Sequence, residues 1–143
     1  MTNQEKKAYL QQYQRLNAKI NRLTREEAEW RRKATSITSA SDGMPHGSGV
    51  SDKVGCTAAK IADLQTEINR EIDELVDLRQ EIESVIQTVP DDVLRDLLVY
   101  RYIDGCKFEQ IALEMNYNYR WITRLHGRAL SKLALESPIK RVL

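Results

Sequence analysis

No glycine or proline occurs in the first 42 residues, and across that stretch apolar side chains return every seven positions: Tyr9, Leu16, Leu23, Trp30 and Ile37. A second row, Tyr13, Ile20 and Ala34, runs beside the first, with Glu27 as its one misfit. Alternating steps of three and four place both rows on one narrow face of a helix, the seam of a coiled coil, whereas a strand would need a period of two. Thirty such residues make a helix about 45 Å long. The stripe is therefore read as packing surface, and the chain as all-α.

A second row of the same period follows. Ser39–Ser51, SASDGMPHGSGVS, is rich in Ser and Gly, contains Pro45, and is expected to be a loop in which His46 has no special role. From about Asp52 to Thr88 the sequence predicts a second long helix. Ile61, Ile68, Leu75, Ile82 and Val89 form one row and Leu64, Leu78 and Val85 its partner. Ile72 and Ile86 widen the stripe, so this helix can meet more than one neighbour, and Glu71 intrudes on the seam. Charge is segregated along the chain. Residues 1–35 carry nine Lys or Arg and four acids, a net of +5, whereas residues 61–92 carry ten acids and two Arg, a net of −8. Residues 36–60 balance and residues 93–143 carry +4. A basic helix, a loop and an acidic helix predict an antiparallel hairpin over residues 1–88. Each exposed ion pair contributes only a few tenths of a kcal/mol, so charge selects the partner helix and the seam supplies stability. Two helices bury only one thin stripe, so this hairpin is also expected to associate between chains into a homo-oligomer.

Beyond it, Pro90 ends the second helix and Asp91-Asp92 open another, with Val93, Leu94, Leu97, Leu98 and Ile103 as its apolar face and Gly105 closing it. The stretch Lys107–Leu133, KFEQIALEMNYNYRWITRLHGRALSKL, then reads as a helix-turn-helix. Ile111, Ala112, Met115, Tyr117, Ile122 and Leu125 are apolar at the offsets that two crossed helices need to share a core. Asn116 stands at the turn, where a left-handed backbone is required, and Asn118 is placed to cap the next helix. Along that helix Arg120, Arg124, Arg128 and Lys132 recur every four residues, and no acidic residue lies between Met115 and Leu135. A solvated basic face would account for such a row. Helices facing only solvent intersperse both signs, however, as the rest of this chain does, and an anionic partner such as phosphate accounts for the row better.

From Val89 to Leu133, about a third of the chain, the sequence resembles region 4 of the sigma-70 family, the module of bacterial sigma factors that reads the −35 promoter element. The similarity rests on Pro90, on the turn Tyr102-Ile103-Asp104-Gly105, on Phe108-Glu109-Gln110-Ile111-Ala112, and on Arg124-Leu125-His126 running into Arg128-Ala129-Leu130. Asn116 stands where the family usually has Gly, and Trp121 is bulkier than the residue common there. A region that melts the −10 element is not expected within these residues. The chain resembles instead small phage-encoded regulators in which a region-4-like domain follows an unrelated helical segment. The resemblance implies a DNA-binding domain over residues 89–136; the stretch 137–143, SPIKRVL, has no period and is expected to be a flexible tail. The resemblance also implies double-stranded DNA as ligand and contact with RNA polymerase. With Ile122 and Leu125 turned inward, Asn118, Tyr119, Arg120, Thr123 and Arg124 project from the opposite face toward the major groove. Trp121 stands at the edge of that face, to press on a thymine or sugar or to pack on the preceding helix. Arg124, Arg128 and Lys132 are the expected phosphate contacts.

No nucleophile–base pair, phosphate-cradling glycine loop or carboxylate pair in a pocket-forming context is found, so no enzyme activity and no cofactor are expected. Cys56 and Cys106 are isolated, and with His46 and His126 they give no metal-ligand spacing. Unpaired cysteines, a polar start without a signal-peptide core and no long apolar run together point to the cytoplasm, away from membranes. Three functions fit: a sequence-specific transcriptional regulator, a DNA-packaging component resembling phage small terminase subunits, and an interaction module that grips RNA polymerase without touching DNA. The charged helix favours the first two. A terminase subunit usually leads with its DNA-binding motif, and this chain does not.

Overall fold

The computed structural model describes residues 1–40 and 48–135, with side chains described for 1–36 and 53–135. Every element among them is helical: α1 (Asn3–Ala40), α2 (Ser48–Ile86), α3 (Asp92–Leu98), α4 (Phe108–Met115) and α5 (Tyr119–Lys132), with a π-helical turn over Val99–Ile103 after α3. Helix reaches Ala40 and begins again at Ser48, so both ends of the stretch Ser39–Ser51, expected to be a loop, are helical. The breakers Gly43, Pro45 and Gly47 all lie in residues 41–47, which fall outside the described residues together with His46 and the expected tail over 137–143. No described helix is long and apolar enough to cross a membrane.

The chain divides into two compact units, Met1–Leu16 with Leu75–Leu143, and Asn17–Glu74. The sequence divides it in chain order, at residue 88; packing groups the start of α1 and the end of α2 with the short helices instead.

The unit Asn17–Glu74 is a helical hairpin. Its seam buries Ile20 on α1 and Thr57, Leu64 and Ile68 on α2. Glu71, the polar intruder on the seam, is buried as well and lies 2.9 Å from Lys19 Nζ on the facing helix. A buried carboxylate without that partner would keep its desolvation cost, so the pair fixes which residues of the two helices face each other. Leu23, Trp30 and Ile61 are only half-buried, and Ile72 is 40% exposed. Two helices have too few neighbours to close the whole stripe.

In the other unit, Leu10, Leu78, Ile82, Ile86, Val89, Leu97, Leu98, Ile111 and Ile122 form a fully buried core. Asp91 caps α3, its carboxylate accepting from the Val93 and Leu94 amides. Leu94, Leu97 and Leu98 face inward, and a regular helix continued from them would turn Arg101 into the core. The wider π turn delays the phase by one residue. Tyr102 and Ile103 are buried instead, and the half-buried Arg101 lays its guanidinium over the Phe108 ring, 4.1 Å from the centroid.

Gly105 closes this segment at φ +73°. A Cβ there would stand 3.0 Å from Gln14 Oε1, and the Gln14 amide donates to the Tyr102 and Ile103 carbonyls at 3.1 and 2.9 Å. Gly105→Ala is expected to cost about 1–2 kcal/mol from the left-handed backbone alone, and more if Gln14 gives up its bonds. Gly55→Ala, inside α2 with nothing within 4 Å of the new Cβ, is expected to stabilise by roughly 0.5–1 kcal/mol. Urea denaturation of the two variants checks the opposite signs.

Candidate functional site

α4 and α5 are joined by residues 116–118. Asn116 adopts the left-handed conformation, φ 58° and ψ 40°, and the Tyr117 amide donates back to the Ala112 carbonyl at 3.0 Å. Asn118 is extended and caps α5, its Oδ1 accepting from the Trp121 amide at 2.8 Å. Both asparagines do what their positions in the sequence suggest, because a tight reversal and a helix start are set by backbone geometry within a few residues. Ile111, Ala112, Ile122 and Leu125 are buried and Met115 is half-buried. Tyr117, expected in this shared core, is 39% exposed instead. The left-handed residue before it reverses the chain, and Tyr117 stays on the outside of the turn.

Along α5, Ile122, Leu125, His126, Ala129 and Leu130 form the buried face. Arg120, Arg124, Arg128 and Lys132 are exposed, as are Asn118 and Tyr119, while Trp121 and Thr123 are half-buried. At 100° per residue Arg120 and Arg124 lie directly opposite the buried face, with Arg128 and Lys132 turning gradually toward the side of Trp121. The Arg128 guanidinium lies 5.3 Å from the Trp121 ring centroid. The Thr123 hydroxyl donates to the Arg120 carbonyl at 2.8 Å, which holds it against the helix. Among the described residues, no carboxylate forms an ion pair with any of the four cations. The arrangement is a capped helix presenting a row of positive charge without an ion-pair partner among the described residues.

The residues that hold this helix in place include some that have no motif. Lys6, on α1, is buried, and its ammonium donates to the Leu130 carbonyl at 3.0 Å and the Ser131 carbonyl at 3.5 Å. A cation at a helix C-terminus satisfies orphan carbonyls and opposes the negative end of the dipole. Asn3 donates to the Ser131 hydroxyl at 3.2 Å. The only sequence signal for Lys6 is its place three residues before Tyr9, where it prolongs the seam of α1.

Beneath α5, the Tyr102 hydroxyl and His126 Nε2 are 2.6 Å apart in a buried hydrogen bond, and the His126 ring meets Phe108 edge to face at 5.0 Å. Burial, helped by the charges of Arg101 and Lys7, pushes the His126 pKa down to about 4. Burial pushes the Tyr102 phenol up to about 12, against the pull of Arg101. Both are therefore neutral near pH 7, and the pair ties the π turn to α5. Among the described residues, no three His, Cys, Asp or Glu side chains converge as metal ligands. No family model, curated protein or solved structure matches the chain.

Proposed function

We propose that α4, the turn at residues 116–118 and α5 form a helix-turn-helix, and that the chain is a sequence-specific, DNA-binding regulator of transcription. The observation that carries this reading is the exposed row Arg120, Arg124, Arg128 and Lys132, with no carboxylate paired to it among the described residues and no acid between Met115 and Leu135. Such a row repels itself in water and is relieved by phosphate, whose bound counterions are released as the cations replace them. Placed with its N-terminal end in a major groove, α5 offers Asn118, Tyr119, Arg120, Thr123 and Arg124 to the bases. Arg120 is the reader of first rank, because its fork can bond both acceptors of a guanine at once. Asn118 spends its carboxamide oxygen on the helix cap and Thr123 its hydroxyl on the Arg120 carbonyl, so both contribute less to base selection. The sequence resemblance adds RNA polymerase as the expected protein partner.

Selection of bound sequences from a random duplex library is expected to enrich one motif. On that motif Arg120→Ala should cost roughly 1–3 kcal/mol, and much less on a scrambled duplex at the same salt concentration. Equal losses on both would leave Arg120 with phosphate alone. Arg128→Ala should weaken binding to all sequences alike and lower the salt slope by roughly one counterion. Uniform binding without enrichment would favour a packaging component, and no binding at all a protein-interaction module.

A further inference from the structure

Given the DNA-binding reading, on which this step rests, we propose that Lys6 is a positioning residue for phosphate binding. By occupying the carbonyl end of α5 from the buried side, it leaves Lys132 free to meet a DNA backbone. Both residues belong to the unit formed by Met1–Leu16 with Leu75–Leu143. The Lys6 ammonium is buried and donates to the Leu130 and Ser131 carbonyls at 3.0 and 3.5 Å. Among the described residues, no carboxylate forms an ion pair with it. Burying an ammonium is costly, and packing alone does not call for one, since a methionine fills a similar space without desolvating a charge. The end of α5 is anchored by other groups too: Leu133 and Leu135 are buried just beyond it, and the Ala134 amide donates to the Thr88 hydroxyl at 3.2 Å. What only a cation supplies is charge at the end of a helix, where the last carbonyls amount to about half a negative charge.

That partial charge stands where the basic row ends. Lys132 is the last residue of α5 and is exposed, with Arg128 one turn before it. Left open, the Leu130 and Ser131 carbonyls would repel a phosphate at this point. They would also offer acceptors to the nearest exposed lysine, since a lysine close to a helix C-terminus can bond the last carbonyls itself. Lys6 removes both effects. Its ammonium satisfies the two carbonyls and offsets their charge without reaching the surface, so the Lys132 ammonium keeps its donors for a phosphate.

Titration of a fluorescent duplex of scrambled sequence with the full chain, repeated from about 50 to 200 mM salt, gives both affinity and salt slope. Lys6→Met should bind roughly fivefold to tenfold more weakly at about 0.1 M salt, with the slope lowered by roughly one counterion. In a Lys132→Ala background the contact is already gone, and Lys6→Met should move the slope no further. A merely structural role would scale affinity by the folded fraction and leave the slope where it was. An unmoved slope in Lys6→Met, or a second full step in the Lys132→Ala background, therefore overturns the proposal. Asn3 provides an uncharged control, because it donates to the Gly127 carbonyl and the Ser131 hydroxyl at the same end of α5. Asn3→Ala should keep the full slope; an equal fall would make these end contacts structural and overturn the proposal. Should Lys6→Met lose helix content, Lys6→Gln, also uncharged, makes the same comparison. Failure of the unsubstituted chain to bind the duplex would sink the DNA-binding reading and this step with it, whereas binding with an unmoved slope sinks this step alone.

Discussion

Ile122→Ala is expected to lower the stability of the unit that carries α5 by about 2–5 kcal/mol, the range for truncating a fully buried aliphatic side chain. Ile122 is 0% exposed and lies on the inner face of α5. The truncation would leave a cavity on the buried face of α5. Arg120, two residues earlier and exposed, provides the contrast: Arg120→Ala should shift stability by no more than about 0.5 kcal/mol while lowering affinity for the preferred duplex. Urea denaturation at pH 7 measures both. A loss below 1 kcal/mol for Ile122→Ala would mean that α5 is held by its end contacts, Lys6 and Asn3, and not by its buried face.

Acidification from pH 7 to pH 5 is expected to cost about 2 kcal/mol through His126 alone. An unfolded histidine titrates near 6.5, whereas in the fold burial, with Arg101 and Lys7, pushes this one down to about 4. The unfolded chain therefore takes up the proton first as the pH falls. The contribution of neutral His126 is intact above about pH 6.5 and is lost progressively toward pH 4. Protonation in place would put a cation beside the Tyr102 hydroxyl and near Arg101, with no carboxylate among the groups that shift it. Denaturation at pH 7, 6 and 5 should show the decline, and His126→Gln, which keeps a polar partner for Tyr102, should remove most of it. The same slope in both proteins would assign the acid sensitivity to other groups.

These two variants separate what could be read from the sequence from what could not. Ile122 was legible as core because its spacing from Leu125, Ile111 and Ala112 fits two crossed helices. The exposure of Arg120, Arg124, Arg128 and Lys132 follows from the same period. His126 was legible only as part of a resemblance. Its burial against Tyr102 depends on the π turn, which shifts the inward face by one residue, and no periodic rule anticipates such a shift. Tyr117 was placed in the core by its spacing, but the left-handed residue before it sent its side chain outward.

The sequence by itself determined the long helices, their caps and the turn at Asn116, features governed by neighbours within about one helical turn. Period and the absence of breakers set the long helices; Asp91, Asn116 and Asn118 set their caps and turns, and Gly105 the left-handed stop. Each is decided by backbone geometry or by side chains three or four residues apart, and those interactions exist in any chain with the same local order. The tertiary structure alone decided that Lys6 closes the end of α5 from 124 residues away, that Gln14 braces the turn at Gly105, and that the first turns of α1 pack with the C-terminal helices. Those contacts join surfaces that the chain brings together only after its helices exist, and a lysine's own sequence context does not distinguish a solvated ammonium from one that caps a distant helix.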